Sequence, residues 1–117
     1  MAIDHLLAVV PVTDLATAVA WYERLFDRPP DNRPMETLAE WRVTGTGWVQ
    51  VFHDPDRAGT GQVNTAVDDL DAHVERLRAR GLQPGEVQEA ARGVRLSAVR
   101  DPDGNTITAI GGFRVEY

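Results

Sequence analysis

The sequence predicts an α+β domain made of a duplicated βαβββ unit. Three observations predict it. Apolar spacing alternates between strand-like and helix-like in the same order in each half of the chain. Residues of the first half recur at a fixed offset in the second. The length, 117 residues, suits one domain, with module one at about 1–56 and module two at about 60–113.

In chain order, Ile3 to Val10 is short, apolar and bounded by Pro11, which predicts a strand. Thr13 and Asp14 offer capping side chains for a helix whose apolar positions are Leu15, Ala18, Val19, Tyr22, Leu25 and Phe26, and Pro29-Pro30 stops it. Asp31 to Pro34 reads as a loop or weak edge strand. Leu38 to Val43 and Trp48 to His53 read as strands joined by the turn Gly45-Thr46-Gly47. Asp54 to Gly61 connects the halves. The order then repeats: a strand over Gln62 to Val67, a helix capped by Asp69 or Asp71 and stopped at Gly81, and a weak strand near Val87. Strands over Val94 to Val99 and Thr106 to Ile110 follow, separated by Asp101-Pro102-Asp103-Gly104-Asn105. Val12, Asp14, Leu15, Val19 and Tyr22 map onto Val67, Asp69, Leu70, Val74 and Leu77, each 55 positions later.

Composition excludes several classes. There is no cysteine, hence no disulfide scaffold, thiolate nucleophile or cysteine zinc site. Twelve basic residues against 18 acidic ones give a net charge of −6, which argues against a nucleic-acid partner and mildly favours a cationic ligand. The apolar run Leu6 to Val12 is too short to span a bilayer, and the start lacks a signal peptide's basic and apolar regions. The expected location is cytoplasmic, with no membrane partner. Ser97 is the only serine, with no nucleophile motif around it, and no phosphate loop occurs.

Val12-Thr13-Asp14-Leu15 with Ala18, Trp21-Tyr22 and Leu25, together with Asp101-Pro102-Asp103-Gly104-Asn105 before the last strand, resembles the vicinal oxygen chelate superfamily. That superfamily holds glyoxalases, extradiol dioxygenases, fosfomycin-resistance enzymes and bleomycin-resistance proteins. The resemblance covers nearly the whole chain. It implies a strongly curved, eight-stranded mixed sheet with two helices on its convex face and a pocket on its concave face. It also implies a homodimer.

Strand alternation sorts the residues into two faces. Leu6, Ala8, Val10, Val49, Val51, Val63, Thr65, Val67, Ile107 and Ala109 form an apolar set expected under the helices. His5, Leu7, Trp48, Gln50, Phe52, Gln62, Asn64, Thr106 and Thr108 form the other set. Aromatic rings beside neutral hydrogen-bonding groups suit a ligand pocket; the alternative is a solvated sheet face. The expected ligand-binding residues are therefore Leu7, Trp48, Gln50, Phe52, Gln62, Asn64, Thr106 and Thr108, with Trp41 as a further stacking candidate. His5 is the candidate acid–base group. Glu40, Glu86 and Glu89 are possible carboxylates of undetermined facing. His53 reads as a loop residue and His73 as solvated.

Metal-using relatives implied by the resemblance carry one ligand on each of four strands. Those positions are Leu7, Gln50, Gln62 and Thr108 here, and none is a carboxylate or imidazole. No metal and no cofactor is expected. Two functions remain. One is a binding protein of the bleomycin-resistance type that sequesters an aromatic or heteroaromatic small molecule. The other is a metal-independent isomerase or lyase. A metal-dependent glyoxalase or dioxygenase is disfavoured.

Overall fold

The computed structural model describes residues 2–117. Its elements are β1 (Leu6–Val12), α1 (Leu15–Phe26), β2 (Asn32–Met35), β3 (Leu38–Arg42), β4 (Gly47–His53), β5 (Gln62–Val67), α2 (Leu70–Ala79), β6 (Gln88–Glu89), β7 (Arg95–Arg100) and β8 (Thr106–Gly111). This is βαβββ twice over. Each helix begins where a short acidic side chain can cap it: Asp14 accepts from Thr17 N at 3.1 Å, and Asp69 from Ala72 N at 3.1 Å. Gly81, at φ +83°, takes the left-handed conformation just past the end of α2.

β1 is shifted from its expected range. Leu6 pairs with Gly47, the first residue of β4, so the residues before it have no strand beside them. At its other end β1 runs through Pro11 to Val12. Proline is tolerated there because β1 is an edge strand, and its missing N–H leaves no ladder bond unmade.

The eight strands divide into two mixed sheets of four, in the orders β1-β4-β3-β2 and β5-β8-β7-β6. Each contains one parallel pair, β1 with β4 or β5 with β8; the remaining pairs are antiparallel. The edge strands β1 and β5 approach one another but belong to different sheets.

The alternation read from the sequence is seen along most of the strands; Leu6, expected under the helices, is instead exposed at the start of β1, and Ala8, Thr65 and Val67 are half-buried. Val10, Val49, Val51, Val63, Ile107 and Ala109 are buried, while Trp48, Gln50, Phe52, Thr106 and Thr108 are only half-buried. Helix α1 packs on β3 and β4, and α2 on β7 and β8. One apolar cluster joins the halves, with Val10, Val51 and Leu25 from the first and Val63, Leu77 and Ile107 from the second. At Gly111 a Cβ would lie 2.9 Å from Leu70 Cβ, so glycine lets α2 sit close on β8.

The Asp101–Asn105 turn is a structural joint. Its buried Asp101 carboxylate accepts from Tyr22 Oη (2.8 Å), Asn105 Nδ2 (2.8 Å) and the backbone nitrogens of Asp103 and Asn105 (2.9 Å each). Asn105 Nδ2 also donates to Pro11 O at 2.8 Å, and Thr13 Oγ1 to Asp103 Oδ1 at 2.7 Å. Both signature segments thus meet and tie module two to the end of β1. Burial, followed by the Asp101 charge and hydrogen bond, pushes the Tyr22 phenol well above its ordinary range.

Candidate functional site

The eight expected ligand-binding residues fall into two groups of four. On the first sheet, Leu7 lies opposite Trp48, and Gln50 and Phe52 continue the same face of β4. On the second, Gln62 pairs with Thr106 and Asn64 with Thr108. Each quartet shares one face of its sheet. Among the described residues no hydrogen bond links the two quartets, which sit on separate sheets.

The first quartet is organised by residues of β3 as well. Glu40 pairs with Gln50 and Arg42 with Trp48. Gln50 Nε2 donates to Glu40 Oε2 at 2.6 Å, and Asn32 Nδ2 reaches Glu40 Oε1 at 3.4 Å. The Arg42 guanidinium stands 5.8 Å from the centre of the Trp48 ring, within cation–π range. Trp48 Nε1 donates to His5 Nδ1 at 3.0 Å. This bond uses His5's acceptor nitrogen, so a neutral His5 has only an N–H left to offer and is poorly placed as a base. Glu40 and Arg42 belong to this face through the β3–β4 register, which the sequence does not print.

These donors do not make a metal centre. Leu7 has no donor atom, the amide oxygens of Gln50 and Gln62 and the Thr108 hydroxyl bring no charge to neutralise a divalent ion, and among the described residues no group of three or more histidines and carboxylates could hold one.

Two side chains depart from expectation. Trp41 is not available for stacking. It is fully buried, with its ring centre 6.0 Å from Tyr22 and 5.6 Å from Phe26, and its Nε1 donates to Arg28 O at 3.0 Å. It pairs with Val49, so alternation sends it to the helix side. His73 is half-buried rather than solvated. It borders a cavity of about 470 Å³ on the helix side of both sheets, walled by Leu25 and Phe26 of α1, Leu77 of α2, and Ala8, Val63 and Ala109 of the strands. Of the eight expected binding residues, only Trp48 and Asn64 touch that cavity.

Burial lowers the His73 pKa, helped by Arg76 and Arg80 and opposed by Asp68. A depressed folded-state value means the unfolded chain binds more protons in mild acid, so stability falls as pH drops through about 6.5 and below. His73→Gln is expected to lose less stability than the parent between pH 7 and 5, as read from urea midpoints. An equal loss in both proteins would place the imidazole in water.

The sequence model of the Glyoxalase/Bleomycin resistance protein/Dioxygenase superfamily matches residues 2–108. The chain belongs to that superfamily. Within this glyoxalase/bleomycin-resistance superfamily, a solved glyoxalase/bleomycin resistance protein from Catenulispora acidiphila is 33% identical, with a TM-score of 0.85 over 92% of this chain and 96% of that one. TnmS3, an antibiotic-binding protein from Streptomyces sp. CB03234, shares the fold at 24% identity and TM-score 0.76, over 95% of this chain and 98% of that one. So does a bleomycin resistance determinant encoded on the transposon Tn5, at 20% identity and TM-score 0.77, over 93% and 98%. No curated protein matches the chain. No helix among the described residues is long and apolar enough to cross a membrane.

Proposed function

We propose that this superfamily member binds and sequesters an aromatic or heteroaromatic small molecule on the helix-free faces of its sheets, without a metal and without altering the ligand. The observation that carries this reading is the Trp48 face. A large ring is held at its edge by His5 and flanked by Arg42, with the Gln50 and Glu40 polar groups beside it. It offers stacking and hydrogen bonding, His5's acceptor nitrogen is already engaged, and among the described residues no group of three or more histidines and carboxylates gathers there. Relatives of the same fold described as antibiotic-binding and bleomycin-resistance proteins support it.

A thermal-shift screen of aromatic natural products finds the ligand. Trp48→Ala is then expected to weaken binding by about 1–3 kcal/mol, the loss of one stacking platform. Gln50→Ala is expected to cost about 1 kcal/mol, as one neutral hydrogen bond. Calorimetric titration reads both. Unchanged affinity in Trp48→Ala would remove the ligand from this face.

A metal-independent isomerase or lyase is the second reading. Glu40 favours it, as a half-buried carboxylate contacted only by neutral amides. Chemical conversion of the bound molecule by the parent and not by Glu40→Gln, followed by NMR, would replace sequestration with catalysis.

The site is proposed to close in a homodimer. β1 and β5 are edge strands that no ladder joins to each other, and Leu6, Leu7 and Val9 are exposed by 44% to 77% along β1. Unpaired edges with apolar side chains call for cover. A second copy would bring its quartet against the first. Light scattering at micromolar concentration is expected to give about twice the 12.9 kDa chain mass; a single-chain mass would refute the dimer.

A further inference from the structure

The cavity on the helix side of the sheets meets the face assigned above only at its rim, where Trp48 and Asn64 border both. Val63 and Ala109 wall it, whereas Gln62 and Thr108, their strand neighbours, lie on the opposite face and do not line it. It opens to solvent on one side, and its volume of about 470 Å³ lies in the range of clefts that hold small ligands.

Its polar groups are nearly all committed. Ser97 Oγ donates to Gly85 O at 2.8 Å, and Thr65 Oγ1 to Thr108 O at 3.3 Å. Thr44 Oγ1 accepts from Gly47 N at 2.8 Å, and the Trp48 N–H is taken by His5. Asn64 is exposed at the rim, where water serves it. His73 remains: half-buried at the wall, with no side-chain hydrogen-bond partner among the described residues.

We propose that this inter-module cavity is a second binding site, taking an uncharged, largely apolar ring compound whose single hydrogen-bonding group is placed against His73. The class follows from the walls. Leu25, Phe26, Leu77, Val63 and Ala109 reward apolar area, and a charged ligand would lose its hydration without a counter-ion in the wall. The neutral imidazole can donate or accept one bond, so one hydroxyl or carbonyl on the ligand suffices. Ala8, Ala109 and Ser97 are small where the two modules meet, which leaves the space open.

The test titrates the full-length chain with 2-naphthol and with naphthalene, following ligand fluorescence, with the oligomeric state recorded in parallel. One 2-naphthol per chain is expected, bound about fivefold tighter than naphthalene, the effect of one hydrogen bond. His73→Phe should erase that preference while keeping naphthalene binding, and His73→Gln should restore much of it. Ala8→Leu should weaken both probes by filling the space. If that variant fails to fold, the His73 pair decides alone. Absence of binding, or a preference that survives in His73→Phe, overturns the proposal. Loss of 2-naphthol binding in Gln50→Ala would put the probe on the opposite face and also overturns it. So would binding that vanishes as the chain dimerises, because the cavity would then belong to the second copy.

Discussion

Asp101→Ala is expected to destabilise the chain by about 3–5 kcal/mol, measured as a fall in the urea midpoint at unchanged slope. The carboxylate is only 5% exposed and accepts four hydrogen bonds, two from side chains and two from backbone nitrogens. Without it the Tyr22 hydroxyl and the Asp103 and Asn105 backbone nitrogens lose their acceptor, at about 1–3 kcal/mol for each buried group left unpaired, while the Asn105 amide keeps only its bond to Pro11 O. Tyr22→Phe takes away one donor and leaves the carboxylate with the other three, so its cost is expected to be smaller, about 1.5–3 kcal/mol. If Asp101→Ala cost no more than Tyr22→Phe, the turn would not be the joint between modules. Ligand affinity, for any ligand of the Trp48 face, should be nearly unchanged in a still-folded Tyr22→Phe protein.

Trp41→Ala is expected to be comparably severe, about 3–5 kcal/mol, as for other large aromatic truncations in a core. Trp41 is 0% exposed, packs on Tyr22 and Phe26, and gives its N–H to Arg28 O. Trp48→Ala should cost much less stability, because Trp48 is half-buried on the other face. Melting curves of the two variants side by side test the face assignment directly. A reversal, with Trp48→Ala the more damaging, would mean that the open faces of the sheets are the true core.

The two tryptophans show what local pattern carries. Trp48 alternates with Val49 and Val51 on an unbroken strand, and its face follows from period two alone. Trp41 lies on β3, a shorter strand of five residues, and its side is fixed by pairing with Val49 across the sheet. That partner choice is a long-range fact. The facing of Glu40 and the part of Arg42 are long-range facts for the same reason, since both residues join Gln50 and Trp48 only through the β3–β4 register. His73 sits among Glu75, Arg76 and Arg78, and a charged neighbourhood reads as solvent. Its side of α2 nevertheless borders the cavity that Leu25 and Phe26 of the first module also line, which no property of the helix alone announces.

The sequence by itself determined the duplicated βαβββ order, the helix caps at Asp14 and Asp69 and most of the apolar face under the helices. Each of these rests on spacing within elements or on the chemistry of one side chain. That Leu7, Gln50, Gln62 and Thr108 include no carboxylate or imidazole is also plain in the sequence, once the family resemblance says which positions to read. The tertiary structure decided the rest: that the strands form two sheets of four, that the signature turn at Asp101 locks the modules together, and that a cavity opens beside His73. These depend on which edges meet and which faces are covered. Such contacts join residues up to 94 positions apart, as between Pro11 and Asn105, and are set by packing the whole chain at once.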